Sequence, residues 1–190
     1  IKLTTDKFYR INGESTQLEG VKSDIVFPNR YSYIDIGERD LENPLSWDQI
    51  NSANYIPLNK QIYYNKALEN SKNRISKNEF FNIIDEQARW VKEQQEDKTV
   101  SLNYNIYKMD MDNTKKESEK FKQIDDFKSN FRFEWLRDNV VDEKIPDEII
   151  ERRNRWIDNL QKDLYVDEAI NILSDLSSFY LNRLSLQKQN

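Results

Sequence analysis

The sequence predicts a mainly α protein of the α+β class, in which a short N-terminal β segment precedes a multi-helix domain. Three observations carry that prediction. β-branched and aromatic residues concentrate before Leu45, an Asn12-Gly13 pair separates two strand-like runs, and after Ser46 apolar residues recur at three- and four-residue steps. The expected division therefore falls near Leu45, giving 1–45 and 46–190. Glu38 to Pro44, where charge and proline follow Gly37, is the linker.

Within the first part, Lys2 to Ile11 and Asp24 to Phe27 read as strands, and Asn12-Gly13 as a hairpin turn, since asparagine and glycine tolerate the left-handed backbone such turns need. In the second part Ser46 is placed to cap a short helix through Asn51. Pro57 opens a longer helix to about Ile75, with Leu58, Ile62 and Leu68 near one face. Ser76 and Glu79 have capping-box spacing ahead of a helix carrying Phe80, Ile84, Ala88 and Val91, and Thr99 to Leu102 reads as extended. Thr114 and Glu117 suggest a second capping box, opening a helix toward Arg137 in which Phe121, Ile124, Phe127 or Lys128, Phe131 and Trp135 follow at three- and four-residue steps. Pro146 opens another, bearing Ile149, Ile150, Arg153, Trp156, Ile157 and Leu160. The last runs from Val166 to about Leu186, with a stripe of Val166, Ile170, Leu173, Ser177, Tyr180 and Leu184. These stripes read as core seams, because no polar groups converge on them as a cofactor requires.

Composition narrows the chemistry. The 190 residues can bury a sizeable core, and 33% charged with 37% hydrophobic residues describes a globular chain without an apolar run long enough to span a membrane. A net charge of −5, spread over both parts, offers no field for nucleic acid. The one dense basic cluster, Arg152, Arg153 and Arg155, sits among Glu151, Asp158 and Asp163 and reads as a solvated, salt-bridged face. Without cysteine there is no disulfide, thiolate nucleophile or zinc-thiolate site; without histidine there is no Ser-His-Asp triad.

The remaining constellations fail on their own terms. Asp110-x-Asp112-x-Thr114 begins like a calcium loop, but Lys115 stands where the turn demands glycine and Phe121 where a bidentate glutamate is needed. Ser185-x-x-Lys188 has the spacing of a serine with a lysine base, yet it lies at the chain's end, where no burial can lower the lysine pKa. Asp125-Asp126 and Glu38-Asp40-Glu42 read as solvated surface. No catalytic, cofactor-binding or metal residue is expected within the chain.

Lys7-Phe8-Tyr9, Gly13, Ser15 and Gln17, followed by Gly20-Val21 and Asp24-Ile25, resemble the K-F-Y-x-x-x-G-x-S-x-Q and G-V-x-P-D-I patterns of the C-terminal-processing, or tail-specific, proteases, with Ser23 in place of the proline. Asp35-Ile36-Gly37-Glu38 and Asn43-Pro44-Leu45-Ser46-Trp47-Asp48-Gln49-Ile50 resemble the D-x-G-E and N-A-L-P-W-D-x-I linker of the tail-specific branch, departing at Pro44 and Ser46. Arg74-Ile75-Ser76-Lys77 with Phe80, Val100 to Tyr104, and Asp163 to Ala169 followed by Asn171-Ile172 continue the resemblance; 105–162 carry few landmarks.

What the resemblance implies is a serine endopeptidase whose nucleophile, lysine base and assisting glutamine all precede Ile1, so that this chain alone is inactive. Residues 1–45 then close the catalytic domain and lead into a C-terminal helical domain, 46–190. Upstream PDZ and protease domains, unfolded or apolar-tailed protein substrates, an adaptor lipoprotein, no cofactor, and a periplasmic location with an export signal before Ile1 are implied in the same way. A different class stands beside this one: a helical scaffold or adaptor-binding module with no part in catalysis.

Overall fold

The computed structural model describes residues 5–56, 62–135 and 145–187, and they form a mainly helical fold. A small strand-like unit leads into α1 (Ile62–Lys77), α2 (Glu79–Glu96), α3 (Tyr104–Glu119), α4 (Asp147–Gln161) and α5 (Leu164–Gln187). Short 3-10 helices lie at Glu38–Asp40 and Lys120–Asp126.

The hairpin forms where Asn12-Gly13 predicts it. Arg10 N donates to Glu14 O at 2.9 Å, Gly13 N to Arg10 O at 2.8 Å, and Tyr9 bridges Ser15 antiparallel. Gly13 has φ 84°, the left-handed residue that closes a bulged hairpin loop. A third piece crosses this hairpin: Glu14 bridges Gln49, and Ile50 N donates to Gly13 O at 2.9 Å. A Cβ on Gly13 would stand 2.0 Å from the Ile50 carbonyl oxygen, so the position also requires glycine for that approach.

This pairing displaces the helix expected from Ser46 to Asn51. Asp48 O accepts from Ser15 N, and Ala53 N donates to Ile11 O, so the backbone groups a helix would have used are bonded to the hairpin instead. Asp24 to Phe27 is not a paired strand either. The start expected at Pro57, with Leu58, lies outside the described residues.

The helices pack α1 against α5 and α2, with α2 and α3 both meeting Lys120–Asp126. Phe81, Ile84, Phe127 and Leu164 form the buried core, joined by Phe27, Ile75, Phe80 and Ile124. Its centre is aromatic: Phe27 stacks on Phe81 at 5.8 Å, and Phe80 meets Phe127 edge-on at 5.2 Å.

Two helix starts differ from expectation because asparagine caps them. Asn78 accepts from Phe80 N and Phe81 N at the head of α2, so Ser76 is spent on Asn73 O at 3.1 Å. Asn103 does the same for α3, which places Thr114 inside that helix and removes the capping box with Glu117. The chain then tightens through Lys120–Asp126 and continues irregularly from Phe127 to Trp135, so the long helix toward Arg137 does not form. Thr99 to Leu102 is a loop with Leu102 fully exposed.

On α5 the buried seam is turned away from the expected stripe. Leu164 and Glu168 are buried while Leu173 is 65% exposed and Ser177 is exposed; the side chains of Tyr180 and Leu184 lie outside the description. The charged pair described below lies on this buried face, opposite the stripe that periodicity assigns to apolar residues.

Candidate interaction groove and its polar clamps

Asp48 is the centre of the first clamp. Tyr9 Oη donates to its Oδ2 at 2.9 Å, Lys7 Nζ lies 3.3 Å from Oδ1, and Asp48 N donates to Ser15 Oγ at 3.1 Å. Partial desolvation pushes this carboxyl up, but the hydrogen bonds from Tyr9, Lys7 and Ser15 outweigh it and hold it below its ordinary 3.8. Buried Gln17 reaches Glu38 Oε1 at 2.8 Å, so Glu38 is tied to the hairpin rather than solvated as expected.

The segment that follows Gly20 is strapped onto the helices. Tyr165 Oη donates to Pro28 O at 2.9 Å, and Phe27 sits between Phe81 and Tyr165. Tyr33 Oη donates to Asp85 Oδ1 at 2.6 Å and accepts from Arg89 Nη2 at 2.6 Å, with the Arg89 guanidinium 4.6 Å above the ring. The Tyr33 bond, opposed by desolvation and aided by Arg89, holds the Asp85 carboxyl below its ordinary value.

Between α1 and α5, Arg74 forks onto Glu168, with Nε 3.0 Å from both carboxylate oxygens and Nη2 2.7 Å from Oε1. Its Nη1 reaches Asp175 Oδ2 at 2.8 Å. The hydrogen bonds that it donates to Glu168, against desolvation, raise the guanidinium pKa further. Below it, Ser129 Oγ donates a short bond to Asp167 Oδ1, and Ser129 N donates to Gln161 O, pinning the irregular segment after Phe127.

Beside these clamps lies an apolar groove of about 400 Å³, walled by Ile25 and Phe27 of the strap, Tyr64, Ala67 and Leu68 of α1, and Ala169, Ile172, Leu173 and Leu176 of α5, with Asp24 at its edge. Ser129 faces a carboxylate, with no lysine or histidine in the contact to take its proton. Among the described residues no three or more His, Cys, Asp or Glu side chains gather to hold a metal, and no helix is long and apolar enough to cross a membrane.

The other singled-out residues separate. Asp110, Asp112 and Thr114 lie within α3, where a helix cannot wrap an ion, and Lys188 lies outside the described residues. Arg152 and Arg155 are exposed, but Arg153 stacks its guanidinium 4.4 Å over Trp135, so the basic cluster is not wholly solvated. Sequence reading missed the Arg74–Glu168 pair. Its signal was present, since the two residues belong to separate blocks that carried the family resemblance.

The family model described as the C-terminal domain of tail specific protease matches residues 31–178. A relative in Haemophilus influenzae, the tail-specific protease, is 38% identical over 116 residues, covering 59% of this chain and 17% of the relative. The chain thus spans about a sixth of that relative's length.

Proposed function

We propose, from the premise that the chain belongs to the family of C-terminal domains of tail specific proteases, that it is the carboxy-terminal portion of a tail-specific serine endopeptidase acting on proteins with apolar C-termini. In this reading its helices shape which substrates reach the catalytic residues. The observation that supports it best is the family match across 31–178.

The physical division of labour follows. The catalytic serine and its lysine base lie in the parent, where the lysine needs a dry wall to depress its pKa. The hairpin contributes to that wall and donates no reacting group. The third strand-like piece and the strap then hold the helices against the hairpin through Asp48, Glu38, Tyr33 and Phe27, so the helical part keeps one orientation to the catalytic sheet. A fixed orientation is what a substrate-holding wall requires. Periplasmic location belongs to the same proposal.

The coding sequence upstream of Ile1 tests the reading cheaply. A PDZ-like region and a serine motif followed by a G-K-G-x-x-x-Q lysine motif support it. Further helices alone would overturn it in favour of a scaffold or adaptor-binding module.

A further inference from the structure

We propose that the strap residues Ile25 to Phe27, with the groove beside them, form a docking edge for an extended apolar stretch of unfolded polypeptide. This rests on the reading above and names the part of the substrate that the helical region holds.

The backbone supplies the first reason. Ile25, Val26 and Phe27 have the composition of a strand, yet none of them makes a backbone hydrogen bond in the structure. Their side chains alternate as in an extended chain: Ile25 and Phe27 are half-buried and line the groove, while Val26 between them is 77% exposed. An extended segment with unpaired N–H and C=O groups is a template for an added strand.

The groove supplies the second. Its lining is apolar, and a second strand laid along Ile25 to Phe27 would send alternate side chains into a volume of about 400 Å³ between α1 and α5. Leu173, 65% exposed at the mouth, is left without cover that such side chains would provide.

Charge selects the occupant. Among the described residues the lining holds one carboxylate, Asp24, and no lysine or arginine, so none of them receives a terminal carboxylate. The groove therefore takes an internal apolar stretch, not the substrate's charged tail.

The test uses the 190-residue chain and a fluorescent peptide of about eight residues alternating leucine and serine, made with an amidated C-terminus, as the free acid, and with alternate backbone amides N-methylated. The amidated peptide should bind saturably and at least as tightly as the acid. N-methylation should weaken binding by about tenfold or more, the equivalent of about 1.4 kcal/mol. Ala169→Trp, at an exposed helical position on the groove, should do the same with an unchanged melting temperature; Leu173→Glu serves if that variant misfolds. Equal binding of the N-methylated peptide, tighter binding of the free acid, or no binding would overturn the proposal. So would self-association of the chain abolished by Ala169→Trp, which would make the occupant a second copy. Failure here leaves the protease reading standing, because that reading is decided by the upstream sequence and by the parent's activity.

Discussion

Arg74 of α1 and Glu168 of α5 form a forked ion pair across the helix interface, and the carboxylate end is buried, its side chain 6% exposed against 33% for Arg74. Burying a charge is costly unless it is paired and fully bonded, and here three guanidinium contacts satisfy Glu168. Arg74→Leu should therefore destabilise the chain by about 3 kcal/mol, since it strands a buried carboxylate. Adding Glu168→Leu should recover most of that loss, and Asp175→Asn alone should cost about 0.5–1 kcal/mol. Urea unfolding of the three variants checks the order.

Gly13→Ala should separate the hairpin from the segment that crosses it. The residue sits at φ 84°, and its new methyl would stand 2.0 Å from the Ile50 carbonyl oxygen. Strain of more than about 1 kcal/mol must be relieved by movement. Amide exchange should show loss of protection at Ile50 and Ser15 with α1 and α5 unchanged; intact protection at Ile50 would contradict this.

The blocks that carried the family resemblance turned out to be each other's partners: Ser15 with Asp48, Gln17 with Glu38, Arg74 with Glu168. Apolar periodicity found α2 and α4 because their faces follow a simple helical period. It misplaced the seam of α5 because a hydropathy pattern does not register a buried ion pair. Ser46, Ser76 and Thr114 misled because a side chain able to cap does so only where tertiary structure leaves a helix start free. Asn78 and Asn103 were the caps used, and Asp48's neighbours were already paired with the hairpin. The groove had no signal in the sequence, as its walls come from three separated segments.

The Asp48 clamp should be sensitive to acid. Because the folded pKa lies below the ordinary 3.8, its stabilisation is present above that value and is lost as pH falls through the lower, folded one. Comparing the wild type with Asp48→Asn by thermal unfolding, the wild type should be the more stable at neutral pH. The difference should vanish in strong acid, and a difference that persists there would contradict the clamp.

Phe81 is 1% exposed at the centre of the aromatic core, where it meets Phe27 and Tyr165. Phe81→Ala should cost about 3–5 kcal/mol. Tyr33→Phe, which keeps the ring and removes the bonds to Asp85 and Arg89, should cost only about 0.5–1.5 kcal/mol. Limited proteolysis should nonetheless open the strap after Pro28 in the Tyr33→Phe variant first.

The most direct test of the helical part's role is kcat/KM of the parent protease, measured for a short peptide and for a long unfolded protein, before and after deletion of the residues following Ile56. Cutting there keeps Asp48, Ile50 and Ala53 on the hairpin. Thermal unfolding must be followed alongside, since Phe27 and Tyr33 lose their helical partners. If the helices hold and admit substrate, the short peptide is still cut and kcat/KM for the long chain falls. Undiminished cleavage of both, or equal loss of both in a truncation that remains folded, would contradict the account.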